Sequence, residues 1–490
     1  MRERKLSIAE IAGLVMLALT SLGSAVALVT VNGQSMTPGR VLAVAVGAVV
    51  LVGVVRSRGG TAVTRWVLGM VTATALAIVA GFITTPDLSY GAPWSILAML
   101  GLIAFTIQFW YSSRNTAYAT AGFDILLVLW FALLVATIVE YVFQIHLSNS
   151  LLMIDEQYST RIATLTWMNP NNAVFILSVL VTPALMSATR RSSPVRIAVW
   201  LGIGWLIFLS IFVNDAKLGA IVLLTTIILW VARRRSDWRV ALVTTAIAIA
   251  AVVPTTLISQ QTTLVDLAPY SPVSQWTEVF KATQHITDAP PSEPSSVPMD
   301  TSTGNRFRLW TKAVEITITH PLTGLGAGGY QHLLATGDEY LGIKDPHSLI
   351  LDTGANLGLL GVLALIAALG IVPILALVQD RRSLIGHTVI VTSFAFVAGS
   401  FGPSTTWSLT LAWATVGLVQ GTWIVTRTAQ VQTGSDDPDD SRHQTGSHNR
   451  PEIGVDVTDT GDQNGDADEK RQRRPRHQAA NREQSPRTDP

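Results

Sequence analysis

Long apolar runs separated by short polar loops dominate the chain. Runs at about 7–31, 41–55, 66–83, 94–111, 121–144, 172–187, 196–213, 218–232, 239–259, 348–378, 385–401 and 406–426 stay apolar over lengths that suit a hydrocarbon core about 30 Å thick. The pattern predicts an all-α integral membrane protein of about twelve transmembrane helices, with a large extracytoplasmic loop between the ninth and tenth. The first run follows Met1-Arg2-Glu3-Arg4-Lys5, a basic start like that of a signal peptide. It exceeds a signal-peptide apolar region and further spans follow, so it reads as a retained first helix.

The polar positions between the runs set the orientation. Arg56, Arg58 and Arg65, then Arg114, then Arg190, Arg191 and Arg196, then Arg233, Arg234, Arg235 and Arg239, then Arg381 and Arg382 all fall on the side of the N-terminus. The intervening loops, such as 84–90 and 403–408, are poor in Lys and Arg, so both termini are expected in the cytoplasm and the protein in the inner (plasma) membrane. Two outer loops are long, 145–171 and 260–347, and loops of such length are usually functional. The expected organisation is therefore 1–259 with helices one to nine, 260–347 as the extracytoplasmic loop with short helices, 348–428 with helices ten to twelve, and 429–490 as a cytoplasmic tail. The tail, acidic at 436–440 and basic at 470–476, cannot bury enough apolar surface to fold and reads as solvated and disordered.

Composition narrows the chemistry. Residues of hydrophobic type make up 49% of the chain and charged ones only 14%, unlike a soluble globular protein. With no cysteine, a disulfide framework, a thiolate metal site and a cysteine nucleophile are all excluded. A charge in the bilayer is kept only for a reason, and the candidates are Asp124, Glu140, Lys217 and Asp352. Asp124 reads as a cytoplasmic-end residue and Glu140 as an interfacial one, both structural; Lys217 lies on the outer face where two spans meet.

The large loop carries most of the remaining signal. Residues 306–319 read as an amphipathic helix with Trp310, Val314 and Ile318 on one stripe and Arg306 at its start. The run Gly324, Gly326 and Gly329 follows a helix instead of a strand, which argues for a tight turn using glycine's access to positive φ and against a nucleotide loop. His347, after Asp345-Pro346, sits where the loop re-enters the membrane; His320 reads as a loop-packing residue and His332 as a surface one. The outer loops hold no Asp-x-Asp pair and no His and carboxylate cluster at ligand spacing, so neither a metal nor another cofactor is expected.

This arrangement resembles the O-antigen ligase and polysaccharide polymerase family of membrane proteins. Arg306 to Trp310 is similar to the family's Arg-x-x-x-Trp, His320 to Gly326 to its His-Pro-Leu-x-Gly-x-Gly, and His347 with Gly358 to Gly361 to its catalytic histidine before a Gly-Leu-Leu-Gly helix. Asn169-Pro-Asn-Asn172 resembles a further helix start of the family, and Ala216-Lys217-Leu-Gly219 resembles another, with alanine in place of the usual serine and lysine where arginine is common. The resemblance implies a metal-independent membrane glycosyltransferase, a ligase or polymerase of polysaccharide or cell-wall biosynthesis. Its donor would be an undecaprenyl-diphosphate-linked saccharide and its acceptor a sugar hydroxyl of a glycan or glycolipid, at the extracytoplasmic face and without a nucleic-acid partner. It implies His347 as base, Arg306, Arg308 and Lys217 as diphosphate-binding groups, and Trp310, Asn171, Gly324, Gly326 and Asp345 as supporting residues. Neutral imidazole can take a hydroxyl proton near neutral pH, and cations stabilise a diphosphate leaving group. The rival is a bicarbonate-like solute transporter, which would place broken helices near the midplane; the spans here read as uninterrupted.

Overall fold

A computed structural model describes residues 5–22, 28–31, 34–56, 61–143, 165, 170–214, 216–233, 302–336, 347–403 and 406–434, with single positions 239, 242, 243 and 246. The ninth expected span, most of the long outer loops and the tail beyond 434 lie outside the described residues.

The described chain is helical apart from one short hairpin. In order it forms α1 (Ile8–Leu19), β1 (Val29–Val31), β2 (Gln34–Met36), α2 (Pro38–Arg56), α3 (Ala62–Ile83), α4 (Leu88–Ser112), α5 (Thr116–Phe143), α6 (Pro170–Thr189) and α7 (Ser193–Phe208). A π turn (Leu209–Val213) leads to α8 (Lys217–Arg233), and then come α9 (Ser302–Thr319), α10 (Gly329–Thr336), α11 (Leu349–Gln379), α12 (Leu384–Gly399) and α13 (Thr410–Gly434). Seven helices among the described residues are long and apolar enough to cross a membrane: α2 to α6, α7 with its π turn, and α11. Three shorter apolar helices, in α1, α8 and α12, accompany them, so the described residues carry a multi-pass membrane protein, with the ninth expected span lying outside them.

The first run departs most from expectation. A single helix over 7–31 was the reading; instead α1 has 12 residues and the chain turns into the antiparallel hairpin pairing Val29 with Met36. Its start is set by a capping box, with the Ser7 hydroxyl accepting from the Glu10 N–H and Glu10 returning to the Ser7 N–H. Its end is set by hydroxyls that turn back on the helix, Thr20 to the Leu17 carbonyl at 2.6 Å and Ser21 to that of Ala18 at 2.7 Å. Apolar composition alone could not reveal that stop.

Two features fix the packing. The window of α6 is 94% buried, which makes it the central helix, and α4 packs along α13 through Gly417 and Gly421, whose missing side chains admit the backbone and side chains of Phe105, Phe109 and Ser112. Small residues four apart are how apolar helices approach closely where no hydrophobic force drives them together. The expectation of uninterrupted spans does not hold. α11 contains Gly358 at φ 71° and ψ −172°, a conformation open essentially to glycine alone, and the π turn interrupts the end of α7.

The charged candidates are mostly structural, as read. Asp124 pairs with Arg191 at 2.6 Å and accepts from Ser187 at 3.1 Å, at the arginine-rich end of the bundle. Glu140, one turn from the end of α5, is fully buried and accepts from the Leu165 N–H at 2.8 Å.

Candidate functional site

The residues singled out in the large loop gather at the end of the bundle opposite the arginine loops. The α9 helix supplies Arg306 near its start, and the chain returns at His347 immediately before α11, which Ser348 caps by accepting from Leu351. His347 stands at φ 47°, a left-handed conformation uncommon outside glycine and costly unless its surroundings impose it. Its surroundings are the Arg306 guanidinium and the backbone of Gly402 and Pro403, in the turn between α12 and α13. Burial, and then the charge of Arg306, push the imidazole down to about 4, against hydrogen bonds to the backbone of Gly402 and Pro403 that act in the opposite direction. At neutral pH the ring is therefore an uncharged base beside a permanent cation.

The same turn connects the other candidates. Trp310 lies edge-on to Phe401 with centroids 5.6 Å apart and tilts against Phe307 at 5.3 Å. A Cβ on Gly399, at the end of α12, would meet Phe175 of α6 at 2.7 Å, and a Cβ on Gly219, in the first turn of α8, would meet Val174 at 2.6 Å. The starts of α6 and α8, which carry Asn171 and Lys217, therefore pack together beside the end of α12. Lys217 opens α8 as the sequence suggested. Arg308 lies half-buried on α9, and Asp345 falls outside the described residues.

Gly324 and Gly326 do something else. With Gly328 they adopt φ of 59°, 82° and 69°, so the glycine-rich segment is a turn with positive φ, as expected, although Gly329 is not among those residues. The turn stitches α11 to α3: the Leu325 N–H donates to Ala355 of α11 at 2.9 Å, that of Ala327 to Gly81 of α3 at 2.8 Å, and that of Leu359 of α11 back to Pro321 at 2.7 Å. It lies across the break at Gly358 and props the outer segment of α11 from which His347 projects.

Below His347, Asp352 is a buried carboxylate with neutral donors from three helices. Its oxygens accept from the Trp94 indole at 2.9 Å, the Gln331 amide at 2.7 Å and the Asn356 amide at 2.9 Å. Asn356 in turn accepts from the Tyr330 N–H at 3.1 Å, and the Tyr330 hydroxyl donates to the Leu309 carbonyl of α9 at 2.8 Å. Asp352 was visible as an intramembrane charge, but only Asn356 lies nearby in the chain; Gln331 and Trp94 lie 21 and 258 residues away and carry no local signal.

The other two histidines of this region, His320 and His332, exchange the loop-packing and surface roles expected of them. His320 is exposed at the end of α9, its ring 3.0 Å from the Thr319 hydroxyl. His332 is half-buried, 3.3 Å from Asp87 and edge-on to Tyr90. The Ser89 N–H and hydroxyl, with His332 adding, hold the Asp87 carboxyl below its usual range. The contacts at Phe401, Gly402 and Pro403 were also missed; only a Gly-Pro turn marks them in the sequence.

No curated protein matches the chain. Residues 197–366, a stretch that holds Lys217, Arg306, Arg308, Trp310, Gly324, Gly326 and His347, match the family model described as O-antigen ligase, so over that third of its length the chain is similar to this family.

Proposed function

We propose that this protein transfers or polymerises a saccharide from an undecaprenyl-diphosphate-linked donor onto a sugar hydroxyl at the extracytoplasmic face, without a metal. The family is one of membrane glycosyltransferases of ligase or polymerase type. The observation that carries the finer reading is the meeting of Arg306 with His347 in its left-handed conformation. A guanidinium offers a donor fork to a diphosphate whose charge grows as it leaves, and an uncharged imidazole takes the proton of the attacking hydroxyl. The two roles are coupled. When the diphosphate neutralises Arg306, the repulsion that lowers the His347 basicity weakens, so the base strengthens once donor is bound. Lys217 and Arg308 are further diphosphate contacts in this reading, and Asn171 and Trp310 support the site. Asp345 belongs to the same supporting set by the resemblance.

The test is transfer by the purified protein with an undecaprenyl-diphosphate saccharide and a glycan acceptor. Catalysis requires neutral His347, so kcat/KM is constant at neutral pH and falls as pH drops through about 4. Arg306→Gln removes the cation that lowers that value, and its acid limb moves to higher pH. Arg306→Lys keeps the charge but not the fork and loses about tenfold or more in kcat/KM. An acid limb that stays in place in Arg306→Gln, with full activity in Arg306→Lys, removes Arg306 from the site.

Orientation is tested separately. Reporter fusions after Ser192 and Arg382 give a cytoplasmic signal and a fusion after Pro86 an exterior one; an exterior signal at Ser192 inverts the topology.

A further inference from the structure

The α9 helix has three faces instead of two. Leu309, Ala313 and Ile316 are buried against Tyr330 and Ala355, and they form its inner face. At about 100° per residue, Trp310, Val314 and Ile318 fall on one flank, and Arg308, Lys312, Glu315 and Thr319 on the other. The apolar flank is the stripe expected from the sequence, yet it is not the buried face: Trp310 is partly covered by Phe401, whereas Ile318 is 71% exposed and Leu322, just beyond the helix, 68% exposed. The polar flank is also open, with Lys312 and Glu315 3.2 Å apart at the surface.

The register against α11 says what the apolar flank meets. Thr317 lies over Gly354, and Pro321 over Gly358 and Leu359, so the last turns of α9 run beside the first turns of α11. That helix has 31 residues, about 46 Å, which exceeds a hydrocarbon core of about 30 Å. About twenty residues counted back from Gln379 reach Leu359, which sets the outer boundary of the core near the Gly358 break. Leu359, Leu360 and Leu363 are all exposed there on the spanning segment. Leu322 adjoins them, so the apolar flank of α9 continues a surface that already faces lipid, while its polar flank faces water.

We propose that α9 and Leu322 form an interfacial anchor, with the Ile318 and Leu322 end of the apolar flank seated at the acyl chains of the bilayer leaflet at this end of the bundle. The partner is the lipid surface itself. The 260–347 segment is then not a loop projecting into water throughout; its helical part is tied to the membrane boundary, and Arg306 and His347 are held at a constant height above it. The inference stands on the membrane-spanning fold and is independent of the transfer reaction.

The chain has no cysteine, so single replacements label cleanly. Ile318→Cys, Leu322→Cys, Lys312→Cys and Glu315→Cys, each carrying an environment-sensitive fluorophore, are reconstituted in phosphatidylcholine and phosphatidylglycerol vesicles. Probes at 318 and 322 lose about half their emission or more to acyl-chain nitroxide lipids and little to iodide, and probes at 312 and 315 do the reverse. Quenching of the 318 probe by iodide and not by nitroxide lipid overturns the proposal. So does protection from both quenchers, which means that protein, such as a second copy of the chain, covers the flank. Should Leu322→Cys disturb the turn over Gly358, the exposed position 318 decides alone.

Discussion

His347→Ala lowers turnover about 10²–10⁴-fold while leaving donor binding and the folded bundle largely intact, because general-base catalysis contributes a factor of that size. The imidazole is an uncharged base beside Arg306, hydrogen-bonded to the backbone of Gly402 and Pro403, and its own backbone stands at φ 47°. An alanine at φ 47° keeps the same backbone cost, so any change in stability is small against the loss of rate. Exposed His320 is the cleaner control, and His320→Ala turns over like wild type. His332→Ala removes the contact with Asp87 and a ring packed on Tyr90, and a modest loss there is compatible with positioning. Wild-type turnover in His347→Ala together with a dead His332→Ala moves the base to the pair of Asp87 and His332.

Gly358→Ala has the second large effect, on both stability and rate. The backbone at φ 71° and ψ −172° costs a residue with a Cβ about 1–3 kcal/mol, and that Cβ would meet the Pro321 carbonyl at 2.6 Å. The turn that crosses the break cannot retreat freely, since the Leu359 N–H is bonded to Pro321 at 2.7 Å and Leu325 to Ala355 at 2.9 Å. Thermal unfolding in detergent falls by several degrees, and turnover falls with it because the displaced outer segment of α11 carries His347. Gly370→Ala, a glycine in the same helix with open surroundings, leaves both unchanged. Equal behaviour of the two variants would mean that the break is not what holds the site.

Much of the site was legible because its chemistry is local. Arg306 with Trp310 at one turn's spacing, the glycine turn after a helix, and a histidine immediately before an apolar run each announce themselves within a dozen residues. The alternation of arginine-rich and arginine-poor loops likewise follows from each segment's own charge. The outer turn at Phe401, Gly402 and Pro403 is different: its role depends on where α12 ends relative to α6 and α8, where Gly399 meets Phe175 and Val222 from segments far apart in the chain.

The sequence by itself determined which segments are apolar enough to enter a membrane and where their arginine-marked ends lie. Only the tertiary structure decided that α11 breaks at Gly358, that Asp352 is shared by three helices, and that Leu309, Ala313 and Ile316 are the packed face of α9 while Val314 and Ile318 stay outside. In water an apolar stripe points to the core because burial is what makes it favourable. In a bilayer lipid chains are as apolar as leucine, so hydrophobicity places a residue in the membrane without saying whether it faces protein or lipid, and close packing of small residues and pairing of buried polar groups make that choice.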